Sequence, residues 1–342
     1  MHSTWRAFKQ IREIHRLDYA RDKNFKQSVL CMQMFSELRK KELEKQGYRL
    51  VGRHSAIKIC SWCKKSIRGE DVCYKNTFYG INSWRCIQMS PWFACTHRCI
   101  FCWRDVRENL VPEEIDSPKD IVDGCIKAQK EILQGFGGNE KRDQKHFEEA
   151  LEPLHFAISL TGEPTLYPKL PELVDEIKSR GMTSFIVTNG TVPEMLKKLI
   201  NHQPTQLYMT LPAPDKETYL KTCNPLNQDS WNKIQESLSL IKEFKRSCLR
   251  LTLVKGYNMV NPEGYADLIK KANPAFIELK AYMWVGHSRE RLEIENMPLH
   301  PEIVEFAKKV AKAADMKIID EKPESRVVLL MKEDMKDRIM EF

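Results

Sequence analysis

Six short apolar segments recur between residues 87 and 281, and amphipathic helical patterns separate them. The apolar segments cover residues 87–89, 155–160, 184–190, 206–211, 249–254 and 276–281, and the helical patterns cover residues 118–134, 168–180, 193–201, 229–245 and 262–272. This alternation favours parallel strands joined by right-handed crossovers, and six such units can curl into a partial barrel. We therefore predict an α/β fold, a partial (β/α)6 barrel of the TIM type, with functional groups on the loops that follow the strands.

The chain extends beyond this repeat on both sides. Residues 5–47 combine apolar positions at helical spacing with many basic residues, which predicts a basic helical extension. Residues 57–87 show no strong helical period and are predicted to be irregular. A helical pattern at 302–314 and strand patterns at 316–320 and 326–331 predict C-terminal αβ additions. The predicted units are therefore 1–56, 57–87, 88–290 and 291–342.

A loop with three closely spaced cysteines, Cys95, Cys99 and Cys102, follows the first predicted strand. Their spacing is C-x3-C-x2-C, and Phe101 precedes the last one. A [4Fe–4S] cluster normally takes four cysteine ligands, so three leave one iron open to a ligand that is not protein. Two alternatives are a packing role, which the polar residues between the cysteines disfavour, and half of a zinc site on Cys99 and Cys102.

The cysteine content and the hydropathy of the sequence indicate the cellular compartment in which the protein works. The sequence contains eleven cysteines and has no apolar run long enough to cross a membrane, and its first residues lack the apolar core of a secretory signal. Because the cytosol keeps thiols reduced, we expect a cytoplasmic protein whose cysteines bind metal instead of forming disulfides.

Basic residues are concentrated near the start of the chain. Residues 1–56 contain thirteen Lys and Arg against six Asp and Glu, and residues 57–107 contain nine against three, although the whole chain carries only +8. Clustered cations neutralise phosphates, so a nucleic acid is one candidate partner. A solvated helix with pairs of opposite charge explains part of the same pattern.

A second cysteine set precedes the main loop. Cys60, Cys73 and Cys86 are each separated from the next by twelve residues. With Cys63 added, Cys60 and Cys63 have the spacing of a zinc ribbon, and that alternative stays open on spacing alone. The other interpretation is a second [4Fe–4S] cluster that also has an open iron.

The main loop resembles the signature of the radical S-adenosylmethionine (SAM) superfamily, C-x3-C-x-aromatic-C. The resemblance implies that Cys95, Cys99 and Cys102 hold a [4Fe–4S] cluster whose fourth iron binds SAM, and that Phe101 lies near the adenine. The turn after the second predicted strand is similar to the superfamily's Gly-Gly-Glu element, with Thr161 in place of the first glycine. That similarity implies that Gly162 and Glu163 bind the SAM amino group. Asn189, at the end of the third strand, is a candidate for the SAM carboxylate or ribose, or else a turn residue.

Further motifs narrow the resemblance to the archaeal 4-demethylwyosine synthase family. They are Cys73-Tyr74-Lys75-Asn76-Thr77-Phe78-Tyr79-Gly80-Ile81, Ser90-Pro91, Cys99-Ile100-Phe101-Cys102-Trp103-Arg104 and Ser325-Arg326-Val327-Val328-Leu329-Leu330. The resemblance implies a radical SAM carbon–carbon lyase that condenses pyruvate with N1-methylguanosine beside the anticodon of tRNA(Phe). It also implies two [4Fe–4S] clusters, the second on Cys60, Cys73 and Cys86, and an external electron donor, because no flavodoxin-like domain is expected in this chain.

Two ways of holding pyruvate follow from this resemblance. Lys75 can form a Schiff base with the keto group, or the open iron of the second cluster can chelate pyruvate with Lys75 in support, and we favour chelation. For the tRNA, the candidate contacts are Lys64, Lys65, Arg68, Arg98, Arg104 and Arg107, with Trp84, Trp92 and Trp103 as candidate stacking platforms.

Two rival functions share part of these features. An activating enzyme of the glycyl-radical type shares the three-cysteine loop and Gly162-Glu163 but acts on a protein, which the basic N-terminal third disfavours. A zinc-dependent RNA-binding module without catalysis is the other rival, and the six strand–helix units disfavour it.

Overall fold

A mixed β-sheet forms the framework of the protein in the computed structural model, which describes residues 35–106 and 111–342. The strands of this part of the chain are β1 (Arg49–Val51), β2 (Ser55–Ile57), β3 (Cys86–Ser90), β4 (His155–Ile158), β5 (Thr183–Thr188), β6 (Gln206–Thr210), β7 (Ser247–Leu253), β8 (Phe276–Ala281), β9 (Lys317–Lys322) and β10 (Val327–Met331). Their order in the sheet is β1-β2-β3-β4-β5-β6-β7-β8-β10-β9.

The six central strands, β3 to β8, pair in parallel and in chain order. Parallel neighbours require a crossover each time, and the intervening segments supply it with helices. This arrangement confirms the predicted partial barrel of the TIM type. All six predicted strands lie where the apolar segments placed them, to within three residues at either end.

Eleven helices lie in the described part of the chain. They are α1 (Glu37–Lys45), α2 (Ser61–Ile67), α3 (Tyr74–Tyr79), α4 (Pro118–Gln134), α5 (Gln144–Ala150), α6 (Leu170–Ser179), α7 (Pro193–Leu199), α8 (Lys216–Cys223), α9 (Ser230–Leu240), α10 (Pro262–Ala272) and α11 (His300–Ala314). Helix α4 begins at a typical N-terminal cap: the Ser117 side chain accepts a hydrogen bond from Asp120 N, and Pro118 occupies the first turn. Within the described ranges, none of the helices has the length and apolar character needed to span a bilayer.

Antiparallel strands extend both edges of the barrel sheet. The β1–β2 hairpin pairs with β3, and β10 pairs with β8 and with β9. Residues 49–57 therefore belong to the same sheet as the barrel strands. The division at 1–56, 57–87, 88–290 and 291–342 stays a prediction, and its first two boundaries fall inside β2 and β3.

The N-terminal third differs in part from the sequence prediction. The predicted helix 5–47 lies largely outside the described residues, as does Arg107, and the described portion contains α1 at Glu37–Lys45. Residues 57–87 are not irregular, because α2 and α3 lie there. Both are too short to produce a helical period that a sequence window detects.

Helix α3 packs against the inner face of the sheet. Phe78 and Tyr79 are fully buried and belong to one cluster with Phe185, Tyr208 and Phe276, which come from the amino-terminal halves of their strands. The Tyr79 and Phe276 ring centroids are 5.1 Å apart. Helix α3 therefore fills the amino-terminal end of the barrel lumen, while the loops after the strands lie at the opposite end.

Candidate active site

The three-cysteine loop follows β3 and is fixed by backbone hydrogen bonds to the end of α8. Arg98 N donates to Cys223 O at 3.0 Å, and Ile100 N donates to Thr222 O at 2.9 Å. On the other side of the loop, Arg291 donates from Nε to Ile100 O at 3.2 Å and from Nη2 to Cys102 O. The positions of the cysteines thus depend on residues more than a hundred positions away in sequence.

The three cysteines of this loop are half-buried as residues, and their thiols interact electrostatically with one another. Burial first and the Glu163 carboxylate second raise the pKa of Cys95 to about 12. A hydrogen bond with Cys223, together with burial, raises the pKa of Cys99 well above its ordinary value. The guanidinium of Arg98 interacts electrostatically with all three thiols, so it is placed to offset the negative charge of thiolates bound to a metal.

Glu163 is a buried carboxylate directly behind this loop, with 2% of its surface exposed. Its Oε1 accepts from the hydroxyls of Thr165 and Thr188 at 2.6 Å each, and its Oε2 accepts from Asn189 N at 2.8 Å. Burial raises its pKa, and these hydrogen bonds oppose the rise. Gly162 precedes it with φ +66, and a Cβ there would collide with the Trp92 carbonyl, so glycine is needed for this close approach.

Asn189 and Phe101 both contact the loop region. Asn189 Nδ2 donates to Thr96 Oγ1 at 2.8 Å and lies 3.7 Å from Cys95 Sγ, while its Oδ1 accepts from Thr191. Its side chain is therefore committed to the cysteine loop. Phe101 packs beside the buried Tyr282 and Val254 at the carboxyl ends of the last barrel strands. The predicted contacts of Phe101 with the adenine of SAM and of Asn189 with its carboxylate or ribose stay predictions.

The second cysteine set converges in space despite its long sequence gaps. Cys60 is the N-cap of α2, Cys73 is the N-cap of α3, and Cys86 begins β3. Burial raises the pKa of Cys86 to about 12, the Cys60 and Cys73 thiols add to the rise, and Lys75 opposes it. The three thiols and the Lys75 ammonium are thus neighbours in one pocket.

Accessibility separates the cysteines into two groups. The six half-buried cysteines of the described chain are Cys60, Cys73, Cys86, Cys95, Cys99 and Cys102, which are the six predicted ligands. The fully buried ones are Cys63, Cys125, Cys223 and Cys248. Cys63 lies beside the second set, but its thiol points to Trp84 O at 3.7 Å. Partial exposure of the residue therefore separates the six predicted ligands from the other cysteines of the described chain.

Lys75 extends from α3 into the barrel lumen. Its Nζ lies 4.8 Å from the ring centroid of Tyr208 and 5.3 Å from that of Phe185. Burial and then the positive charge of Arg250 lower its pKa. A lowered pKa leaves more of the amine neutral at ordinary pH, which is what a lysine nucleophile requires.

Sequence reasoning missed a polar network inside the barrel. Glu278 is fully buried and accepts from Arg250 Nε at 2.9 Å, Tyr79 Oη at 2.8 Å and Tyr74 Oη at 3.2 Å. Lys280 lies in the same lumen, and burial followed by Arg250 lowers its pKa to about 8. The sequence did contain a signal for this network. Charged residues at alternate positions of otherwise apolar strands lie on one face of the sheet, and when that face is buried they need polar partners.

Several proposed tRNA contacts are engaged within the protein. Trp92 is 1% exposed, so it belongs to the core and is not a stacking platform. Trp84 stacks on His146 with centroids 3.7 Å apart. Arg68 pairs with Glu70 at 2.6 Å, and Arg104 lies over the ring of Trp103 at 4.6 Å.

The sequence matches two known families over consecutive segments. Residues 89–269 match the radical SAM superfamily, and residues 271–332 match a family described as wyosine base formation. The first segment covers more than half of the chain and contains the three-cysteine loop and Glu163. The second contains β8, α11, β9 and β10.

Individual relatives extend the similarity over most of the chain. The S-adenosyl-L-methionine-dependent tRNA 4-demethylwyosine synthase of Pyrococcus abyssi is 52% identical over 299 residues, which cover 85% of this chain and 87% of that protein. The protein of the same name from Methanocaldococcus jannaschii is 40% identical over 308 residues, 86% of this chain and 96% of its own. A solved structure of TYW1 with a lysine–pyruvate adduct bound has a TM-score of 0.81 at 38% identity, and the alignment covers 90% of this chain and 100% of that chain.

Proposed function

The chain belongs to the tRNA 4-demethylwyosine synthases of the radical SAM superfamily, and from that premise we propose how its residues carry out the reaction. The enzyme condenses pyruvate with N1-methylguanosine next to the anticodon of tRNA(Phe) to give 4-demethylwyosine. The observation that carries the assignment of roles is the position of Lys75, which lies near the thiols of Cys73 and Cys86 and over the ring of Tyr208 in the barrel lumen.

The three-cysteine loop fits the [4Fe–4S] cluster and SAM that this superfamily uses. Its three thiols interact with one another, and Arg98 supplies a compensating positive charge. We assign Cys95, Cys99 and Cys102 as cluster ligands and Glu163, with Gly162, as the acceptor for the SAM amino group. When bound, the cluster and SAM supply the one-electron chemistry that activates the N1-methyl group of the base.

We assign Cys60, Cys73 and Cys86 as ligands of a second [4Fe–4S] cluster. Long, equal spacings do not match a zinc ribbon, and the thiols of these three residues lie close enough to interact electrostatically. The zinc alternative needs Cys63 as a ligand; Cys63 lies beside the trio, but its thiol donates to the Trp84 carbonyl at 3.7 Å. An external electron donor is needed to reduce the clusters. We place the enzyme in the cytoplasm, because the cytosol keeps cysteine thiols reduced.

Lys75 is the residue that we assign to pyruvate. Its neutral amine attacks the C2 carbonyl, and loss of one water leaves an imine between Nζ and C2. The lysine–pyruvate adduct of the related structure supports this route over chelation alone, so our preference moves from the second cluster to the imine. Lys280 is the competing nucleophile, because its pKa is also lowered, but its Nζ already donates to Ser325 O at 2.7 Å.

Borohydride trapping tests this assignment. The reconstituted protein is incubated with labelled pyruvate, reduced with borohydride and digested, and the modified peptide is located by mass spectrometry. We expect the label on Lys75. Lys75→Arg should lose the label and the tRNA product while keeping its iron, since arginine retains the charge but forms no imine. A label that stays on Lys280 in the Lys75→Arg variant would contradict the assignment.

A further inference from the structure

Arg250 is held in a fixed orientation inside the barrel. Its Nε donates to Glu278 Oε2 at 2.9 Å, and its Nη2 donates to Tyr74 Oη at 2.7 Å. Glu278 is fully buried, so a charged partner is necessary to offset the cost of its desolvation. These two anchors fix the plane of the guanidinium on two sides.

The remaining edge of this guanidinium is free to bind a ligand. Arg250 Nη1 makes no hydrogen bond among the residues that the structure describes, and 15% of the side chain stays accessible although its partner Glu278 has none. Thr252 lies on the same strand as Arg250, Thr210 lies on the neighbouring strand, and both are half-buried. Alternate residues of a strand share one face, so Thr252 projects from the same face as Arg250, and Thr210 is the Cα partner of Arg250 on β6.

Arg250 and Lys75 both lie near the aromatic ring of Tyr208, and the charge of Arg250 acts on the Lys75 amine. The Arg250 Cζ and the Lys75 Nζ are 4.4 Å and 4.8 Å from the same ring centroid, that of Tyr208. The Tyr208 hydroxyl is itself buried and has no hydrogen-bond partner within residues 35–106 and 111–342. An unpaired buried hydroxyl is costly, so the ring that Arg250 and Lys75 share carries an unsatisfied polar atom.

We propose that Arg250 binds the carboxylate of the pyruvate carried by Lys75 and thereby selects a 2-oxo acid over an uncharged carbonyl compound. The inference rests on the proposed function, because it takes Lys75 as the imine-forming residue. Among the described cations of this lumen, a guanidinium with one free edge matches a carboxylate best, since its N–H groups are planar and directional. Lys280 is the rival anchor, but Ser325 O already accepts from its Nζ.

The test compares a charged and an uncharged ligand on the same lysine. Reconstituted protein is titrated with pyruvate or with acetone, each followed by borohydride reduction, and the fraction of Lys75 modified is measured by mass spectrometry. The main variant combines Arg250→Gln with Glu278→Gln, so that no buried carboxylate is left unpaired. A second variant, Arg250→Lys, keeps the positive charge but loses the planar guanidinium and its paired N–H donors. We expect the half-maximal concentration of pyruvate to rise at least tenfold in the double variant and less in Arg250→Lys, with that of acetone unchanged.

The control is Lys280→Met, which removes the rival cation of the lumen and is expected to leave the preference for pyruvate over acetone intact. An equal shift for pyruvate and acetone, or loss of the preference only in Lys280→Met, would overturn the role of Arg250. Absence of a Lys75 adduct in the parent protein would instead contradict the proposed function. Iron content and circular dichroism of each variant establish that the compared proteins are folded.

Discussion

The backbone N–H of Met340 donates to the carbonyl oxygen of Tyr79 at 2.9 Å, which fastens the C-terminal segment to the end of helix α3. Arg338 Nη1 adds a bond to Phe78 O at 2.9 Å. Helix α3 carries Lys75 and begins at Cys73. The last residues of the chain therefore support the element that we assign to both pyruvate and the second cluster.

Removing the Arg338 side chain should loosen α3. Arg338→Ala deletes a charge-assisted bond to a helix-terminal carbonyl, and we expect the free energy of unfolding to fall by about 2 kcal/mol. Denaturant unfolding of the cluster-free protein measures this loss. Lys336→Ala, at an exposed position of the same segment, is the matched control and should change little. Equal effects of both changes would show that the tail does not brace the helix.

Glu163→Gln should weaken SAM binding at least tenfold. The exchange keeps the shape of a side chain surrounded by hydrogen-bond donors but removes the negative charge that we assign to the SAM ammonium. Equilibrium dialysis of the reconstituted variant measures the affinity, and iron content should match the parent. The control Glu172→Gln lies on the exposed face of α6. Unchanged SAM affinity in Glu163→Gln would return the residue to a purely structural role in its turn.

Iron analysis should distinguish the cysteines by role. Two [4Fe–4S] clusters predict about eight irons per reconstituted chain, and Cys73→Ala should reduce the count to about four. Cys63→Ser should keep about eight, because the serine hydroxyl can replace a thiol that faces the Trp84 carbonyl. A loss of iron in Cys63→Ser as large as that in Cys73→Ala would make Cys63 a ligand and contradict the assigned trio.

His155 should make the protein sensitive to acid. Its Nε2 accepts from Asn82 N at 3.2 Å, so its Nδ1–H donates to Thr183 Oγ1 at 2.7 Å, and a second proton has no acceptor. Burial, then the charges of Arg85 and Lys75, lower the pKa of His155 to about 3. Below its unfolded pKa of 6.5, the unfolded chain binds a proton that the folded protein does not, so stability falls as the pH drops from 6.5 toward 3.

This contribution amounts to about 2 kcal/mol between pH 6.5 and pH 5. Urea unfolding of the parent and of His155→Gln at both pH values isolates it, and the variant should lose less stability on acidification. His202→Gln is the control, because His202 is exposed and pairs with Asp175 at 2.6 Å. If His155→Gln and the parent lose the same stability, protonation of His155 does not limit acid tolerance.

The sequence alone determined the barrel and the chemistry of its first loop. Apolar segments such as 276–281 carry a strand signal that needs no distant partner, and the spacing of Cys95, Cys99 and Cys102 is a local property of eight residues. The short helices α2 and α3 escaped detection, because six or seven residues do not establish a period and their caps are cysteines.

Only the tertiary structure decided which groups meet inside the barrel. Arg250 and Glu278 are 28 positions apart, and Tyr74 lies 176 positions from Arg250, yet the three form one hydrogen-bonded network. Parallel pairing of β7 with β8 sets Arg250 directly opposite Glu278, and the packing of α3 brings Lys75 to the same ring. No local pattern encodes such a contact, because strand register and helix packing are fixed by burial of the whole core.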